Sequence, residues 1–202
     1  EHTWWRQLEL LTGTRCINIS VDGASNQWIA RHAELIQKEI NPANMIVMWS
    51  YLHRREKTLY QSMSDDWQKF YNTVKSDQWP DVTFDTQHLL PDSIRAELDI
   101  CYTWPVLGTD FNRQLWYEKT TVEQDVDYIL MHWQLLEQIK GTTNIVHSVI
   151  PKFASPIGEI MFDSKVPGAF IKVKQIDQAR DGLHYDRLTA QNFVQQIQCL
   201  LQ

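Results

Sequence analysis

The sequence predicts an α/β domain built around a parallel sheet. Within the first 50 residues, helical and strand patterns alternate in the order helix, strand, helix, strand. This order is typical of parallel strands joined by right-handed crossovers. The run at residues 45–49 is continuously apolar, as expected of a strand covered on both faces. The chain has 202 residues, of which 43% are hydrophobic, so a single domain with a sizeable core is predicted.

The other elements follow from hydrophobic periodicity and from the residues that end helices. In order along the chain, the predicted elements are a helix over residues 3–11, a strand over 16–21, a helix over 27–40, a strand over 45–49, a helix over 121–139, a strand over 144–150, a strand over 170–173 and a helix over 188–201. Ile197 and Leu200 are expected on the buried face of the last helix. Residues 57–120 are polar and aromatic. They are predicted to form a helical insertion over one edge of the sheet, with helices at 65–74 and 93–98.

Composition and charge argue against two classes of partner. The formal net charge is -6 and the isoelectric point is near 5.6, so a strongly basic face for nucleic acid is not expected. No apolar run approaches the roughly 18 residues that a membrane helix needs, so a membrane is not an expected partner either. Nine tryptophans are many for this length, and large aromatic side chains fill cores more often than they bind ligands.

The cysteines and histidines predict neither a metal nor another cofactor. Cys16, Cys101 and Cys199 form an odd, scattered set, which argues against a disulfide framework and a zinc site. They are expected to be reduced, partly buried thiols, and no pair of histidines has a convincing metal-site spacing. The N-terminus has neither an initiator Met nor a signal-peptide pattern, so it is interpreted as cut, processed or incompletely known. A reducing cytoplasm or a virion is favoured over secretion by a signal peptide.

The run Asp181-Gly182-Leu183-His184 is the first candidate site. It places a carboxylate and an imidazole three positions apart, just before the last predicted helix. A carboxylate that close can fix the tautomer of a histidine base and stabilise its imidazolium form. Sites in open α/β sheets gather beyond the carboxyl ends of the strands, which is where this run is expected. The alternative is that His184 merely caps or packs against the helix start.

The turn at residues 22–26 is the second candidate site. It joins a predicted strand to a helix, so its backbone N–H groups, including that of Gly23, can hold an anion or an oxyanion. Ser25 stands on this turn but lacks the full G-x-S-x-G elbow, because Gln27 occupies the final glycine position. Ser25 therefore remains either a nucleophile or, with Asn26, a helix cap.

The third candidate site follows the strand at residues 45–49. Ser50, Arg54 and Glu56 come after the carboxyl end of this strand and are expected to line the same crevice. Arg54 can bind a carboxylate or phosphate through two parallel hydrogen bonds. An ion pair between Arg54 and Glu56 that only holds the loop is an equally good interpretation.

Together the three sites resemble the SGNH (GDSL-like) hydrolase superfamily, most closely a divergent branch found in bacteriophage and marine virus proteins. The matching residues are the run 18–26, the strand end Met48-Trp49-Ser50 with Arg54 and Glu56, and the run 181–184. The resemblance spans nearly the whole chain apart from the central insertion. It implies one SGNH-like domain over residues 1–202 with a flavodoxin-like three-layer α/β/α fold and no cofactor.

The resemblance also implies roles for individual residues. Asp181 and His184 match the acid and base of the family's last block, and Gly23 matches the oxyanion-hole glycine of the second block. The Asn26 side chain is expected to assist Gly23. Members of the superfamily are mostly esterases, lipases or carbohydrate deacetylases, so the substrate implied is an acyl ester or an acetylated glycan.

The chain departs from the family pattern at two places. The third block should read G-x-N-D, whereas this chain has Trp49-Ser50-Tyr51-Leu52. The oxyanion hole would thus lack a side-chain donor, and losing one typically costs about 100- to 1000-fold in rate. The family's serine block is expected before the first helix and is not present in residues 1–202. Ser25 is therefore the fallback nucleophile.

Two hypotheses of different classes follow. The first is a serine-type ester hydrolase that uses Asp181 and His184. The second is a non-catalytic SGNH-like module, either a structural component of a phage virion with virion proteins as partners or a carbohydrate-binding module. The second is favoured by the two departures and by the aromatic residues of the insertion, since exposed aromatics can stack on sugars or anchor an interface. These aromatic residues are Trp67, Trp79, Trp104 and Trp116.

Overall fold

A computed structural model describes residues 4–20, 26–50, 89–94, 121–149, 164–165, 170–173, 176–177 and 187–201. The helices in these ranges are α1 (Trp4–Thr12), α2 (Asn26–Glu39), α3 (Val122–Ile139) and α4 (Arg187–Leu200), and the strands are β1 (Asn44–Trp49), β2 (Asn144–Val149) and β3 (Ile171–Lys172). Each of these elements was predicted from the sequence to within two residues at either end. The predicted helix at 65–74 and most of the one at 93–98 lie outside the described residues.

The described strands form one parallel sheet in the order β1-β2-β3. Val47 pairs with His147 and Trp49 with Val149, while Ser148 pairs with Ile171 of β3. The predicted α/β class with a parallel sheet is therefore confirmed.

Side chains of the sheet enter two apolar clusters in alternation. Val47 and Trp49 of β1 pack with α2 and α3, and so does Val149 of β2. Val146 of β2 packs instead with α1 and α4, and Ile46 of β1 lies against that cluster. Because successive strand residues point to opposite faces, the two clusters lie on opposite faces of the sheet. This arrangement explains why residues 45–49 are continuously apolar.

Buried polar groups tie together the starts of β1 and β2. The amide nitrogen of the Gln37 side chain donates to Asn41 Oδ1 and to the Lys140 carbonyl, both at 2.9 Å. The Thr143 hydroxyl donates to the Pro42 carbonyl at 2.6 Å. Asn41 has φ 48, a left-handed conformation that Asn tolerates well. These contacts set the register at the amino ends of the strands.

The start of α3 is fixed by a capping box. The Thr121 hydroxyl accepts from Gln124 N at 3.2 Å, and the Gln124 side chain accepts from Thr121 N at 2.9 Å. Two N–H groups that a helix start leaves without partners are thus satisfied reciprocally. Gly141, with φ 55, then turns the chain from α3 into β2.

Residues 16–20 do not form the strand that their pattern predicted. They are irregular, because side chains take two of the N–H groups that a ladder would use. Cys16 N donates to Glu9 Oε1 at 2.8 Å, and Ser20 N donates to Asn18 Oδ1 at 3.1 Å. Ile17 is 41% exposed rather than covered. Alternation alone therefore misled the prediction.

Two further predictions need correction in detail. Leu200 is 54% exposed, because the buried face of α4 is completed by Val194 rather than by the last turn. Cys199 is an exposed free thiol rather than a partly buried one. By contrast, the predicted burial of the Ile197 side chain is confirmed.

A third cluster joins the central segment to α2. Leu90 and Ile94 pack against Trp28 and Ile36, and all four are buried. The described part of the region 57–120 therefore contributes to the core. None of the helices within the described ranges is long and apolar enough to cross a membrane.

Candidate functional site

The connections place two helix starts at the carboxyl edge of the sheet. Short links join the end of α2 to β1 and the end of α3 to β2. Each helix therefore runs back along the sheet and begins near the edge where the strands end. Helix N-termini carry partial positive charge and free N–H groups, and this edge is where sites form in open α/β sheets.

The first contact at this edge joins α2 to the end of β1. Asn26, the first residue of α2, is fully buried, and its Oδ1 accepts from Ser50 N at 2.8 Å. Ser50, which follows β1 directly, is only 5% exposed. Two residues from separate predicted sites are thus brought together. Complete burial makes Asn26 a support for this edge rather than a group that a substrate touches.

A second asparagine, Asn18, holds the chain just before residues 21–25. Asn18 is 7% exposed, and its Oδ1 accepts from both the main-chain N and the hydroxyl of Ser20, the latter at 2.7 Å. These local hydrogen bonds replace the bonds that a β-ladder would make and hold the backbone of residues 18–20 in an irregular conformation. Residues 21–25, which include Gly23 and Ser25, are therefore flanked by anchored residues on both sides.

The third contact lies at the start of α4. Both carboxylate oxygens of Asp177 accept main-chain N–H groups of the helix, from Leu188 at 2.8 Å and from Thr189 at 2.9 Å. The Thr189 hydroxyl donates to Asp177 Oδ1 at 2.6 Å and accepts from Ile176 N at 2.9 Å. Thr189 is 2% exposed. We call these two residues and their bonds the Asp177–Thr189 clamp.

The clamp brackets the first candidate site in sequence. Eleven residues, 178–188, separate Asp177 from Thr189, and they include Asp181 and His184. A carboxylate on the first N–H groups of a helix is also favoured by the helix dipole. The ends of the segment that carries the predicted acid and base are therefore held together.

Among the described residues, a buried hydroxyl near the carboxyl end of β2 has no hydrogen-bond partner. Ser148 is fully buried, and its Oγ makes no hydrogen bond. By alternation it lies on the face of the sheet that α1 and α4 cover. A hydroxyl left unpaired in such a place costs about 1–3 kcal/mol.

His147, the residue before Ser148 in β2, is a buried histidine near the carboxyl edge of the sheet. Trp49 Nε1 donates to His147 Nδ1 at 3.2 Å, so the neutral ring carries its proton on Nε2. Nε2 lies 3.4 Å from Glu137 Oε1, without a well-aligned hydrogen bond. Burial lowers the pKa of His147 from 6.5 to about 4, although the Glu137 carboxylate opposes this. His147 is 3% exposed and is therefore part of the core.

Of the residues predicted to form the site, the structure describes two, Asn26 and Ser50. The others lie outside the described residues: Gly23, Ser25, Arg54, Glu56, Asp181 and His184. Sequence reasoning missed Asp177, Thr189 and Ser148. Only Ser148 carried a usable signal, as a polar residue near the carboxyl end of an apolar strand.

Comparison of the sequence and structure with known proteins identifies no relative. No family model matches the sequence, and neither a curated protein nor a solved structure shows significant similarity. Among the described residues, no group of three or more His, Cys, Asp or Glu side chains could hold a metal ion.

Proposed function

We propose that the protein is an ester hydrolase of the SGNH type, acting on acyl esters or acetylated glycans. The observation that carries this proposal is the buried bond between Asn26 and Ser50, because it joins the loops of two predicted sites at the carboxyl edge of a parallel sheet. The apolar clusters on opposite faces of that sheet support a flavodoxin-like three-layer arrangement. The clamp around residues 178–186 supports a fixed position for the first predicted site, which contains Asp181 and His184.

The proposed chemistry assigns one step to each group. His184 takes the proton of a serine hydroxyl as that oxygen attacks the ester carbonyl, and Asp181 orients the imidazole. The Gly23 N–H stabilises the oxyanion. His184 then returns the proton to the leaving alcohol, and water releases the acyl group by the same route. The nucleophile is the serine of the family's first block, with Ser25 as the fallback.

Hydrolysis of p-nitrophenyl acetate and of O-acetylated glycans by the full-length protein tests this proposal. His184→Ala should abolish the activity, and Asp181→Asn should lower kcat about 10,000-fold, as the wrong tautomer does in other triads. His132→Ala, on α3, is the control and should leave kcat unchanged. Activity that survives in His184→Ala would remove the triad.

Labelling with a fluorophosphonate identifies the nucleophile. The labelled peptide should contain either Ser25 or a serine of a G-[CD]-S block, and His184→Ala should slow the labelling. Ser25→Ala separates the two cases, because it removes the label only if Ser25 is the nucleophile.

A non-catalytic SGNH-like module, as a virion component or a carbohydrate-binding protein, is the second candidate. One contact favours it: the Ser50 N–H, which follows β1 where an oxyanion donor is expected, is already bonded to Asn26. This candidate predicts no fluorophosphonate label, together with binding on a glycan array or to virion proteins. A rapid stoichiometric label would reject it.

A further inference from the structure

The Asp177–Thr189 clamp holds more hydrogen bonds than a helix cap needs. A single side-chain oxygen on one N–H group suffices to cap a helix. Here the Asp177 carboxylate serves two N–H groups of α4. The Thr189 hydroxyl returns one bond to that carboxylate and also accepts from two main-chain N–H groups of residues 176 and 177. The bonds thus run in both directions between the two sides of residues 178–186.

The Thr189 hydroxyl uses its donor and both of its acceptor positions within the clamp. The Thr189 hydroxyl has one proton, which goes to Asp177 Oδ1, and two lone pairs, which accept from Ile176 N and Asp177 N. Because Thr189 is 2% exposed, water cannot easily replace these bonds. Removal of the hydroxyl therefore breaks three of these bonds at once and leaves only the two that join the Asp177 carboxylate to main-chain N–H groups of α4.

We propose that Thr189 and Asp177 are positioning residues, which hold Asp181 and His184 in register by fixing the two ends of the segment between them. This inference rests on the proposed function. Tying the ends of a short segment removes much of its conformational freedom. Acid–base catalysis needs that restriction, since a displacement of about 1 Å can cost about 100-fold in rate.

Thr189→Val tests the clamp, because valine keeps the shape of threonine and removes only the hydroxyl. The matched control is Thr143→Val. Thr143 is 3% exposed, and its hydroxyl is also hydrogen-bonded, but at the amino end of the sheet. Both variants should lose similar stability. Only Thr189→Val should lower kcat, by about 100-fold with KM nearly unchanged, and Thr189→Ser should restore it.

A second variant guards against a simple failure of Thr189→Val to fold. Asp177→Asn keeps the size of the side chain but turns one acceptor into a donor that faces an N–H group. It should lower kcat in the same way. Equal kcat values for Thr143→Val and Thr189→Val would overturn the positioning role while leaving the hydrolase intact.

A spectroscopic signature tests the clamp even if the protein hydrolyses no ester. A ring N–H that donates to a carboxylate exchanges slowly and resonates far downfield in the proton NMR spectrum. The His184 N–H should show this resonance in the wild type and in Thr143→Val, and should lose it in Thr189→Val and Asp181→Asn. Persistence in Thr189→Val, or absence in the wild type, would overturn the inference.

Discussion

His147 should make the folded protein less stable as the pH falls below about 6.5. It stands in the middle of β2, only 3% exposed, among Trp49, Trp133 and Phe170. Burial disfavours the charged ring and lowers the pKa of His147 to about 4. The Glu137 carboxylate opposes this shift, and Lys140 reinforces it. In the unfolded chain the same ring has an ordinary pKa.

The sign and size of the effect follow from that difference. Between the folded and unfolded pKa values, the unfolded chain binds a proton that the folded chain does not, so stability rises with pH. The contribution of neutral His147 to the free energy of unfolding is complete above about pH 6.5 and is lost as the pH falls to about 4. Each pKa unit is worth about 1.4 kcal/mol. The fall from 6.5 to about 4 therefore corresponds to about 3 kcal/mol of the free energy of unfolding.

Urea unfolding followed by tryptophan fluorescence, at several pH values between about 4 and 7, measures this effect. The comparison is between the wild type and His147→Gln, because other carboxylates titrate in both and cancel. The difference in unfolding free energy should change by about 3 kcal/mol across that range. A difference that stays constant with pH would refute the reasoning.

Two neighbouring charges give matched controls of opposite sign. Glu137→Gln removes the carboxylate that favours protonated His147. The pKa of His147 in the folded protein should therefore fall further, and the loss of stability should extend to lower pH. Lys140→Gln removes the opposing charge, so the loss should be smaller than in the wild type. NMR titration of the His147 ring checks both shifts directly.

Two buried polar residues near the carboxyl edge, Asn26 and Ser148, give further predictions. Asn26→Ala should lower the free energy of unfolding by about 1–3 kcal/mol, because the buried N–H of Ser50 loses its acceptor. Urea unfolding checks this, and an unchanged free energy of unfolding would contradict it. Ser148→Ala should leave stability unchanged or raise it by about 1 kcal/mol, because it removes a buried hydroxyl that has no partner. A clear loss of stability in the thermal melt of Ser148→Ala would show that the hydroxyl is satisfied.

The sequence was sufficient for the central strand and for the helix start beside it. Residues 45–49 were identified as a strand covered on both faces, and their side chains do divide between two apolar clusters. The contact of Asn26 with Ser50 also follows from a general rule, since the carboxyl ends of parallel strands and the helix starts beside them share one edge. Neither inference needed a long-range contact to be known in advance.

Where side chains bond to the main chain, the sequence was insufficient. Residues 16–20 alternate like a strand, but Glu9 and Asn18 take their N–H groups. Likewise, nothing in the sequence pairs Asp177 with Thr189, because the contact depends on the path of the chain between them and not on any periodicity. Local hydrogen bonds of this kind compete with the ladder bonds that pattern arguments assume.

The same class of bond recurs at each of the three predicted sites. Asn18 and Asn26 flank residues 21–25, Asn26 also accepts from Ser50, which follows β1 directly, and the clamp brackets residues 178–186. The described residues next to all three predicted sites are therefore held by short polar side chains at or beside the carboxyl edge. Rigid bases allow loops to hold reacting groups in fixed positions. This concentration of polar contacts on one edge makes that edge the place to test the proposed activity.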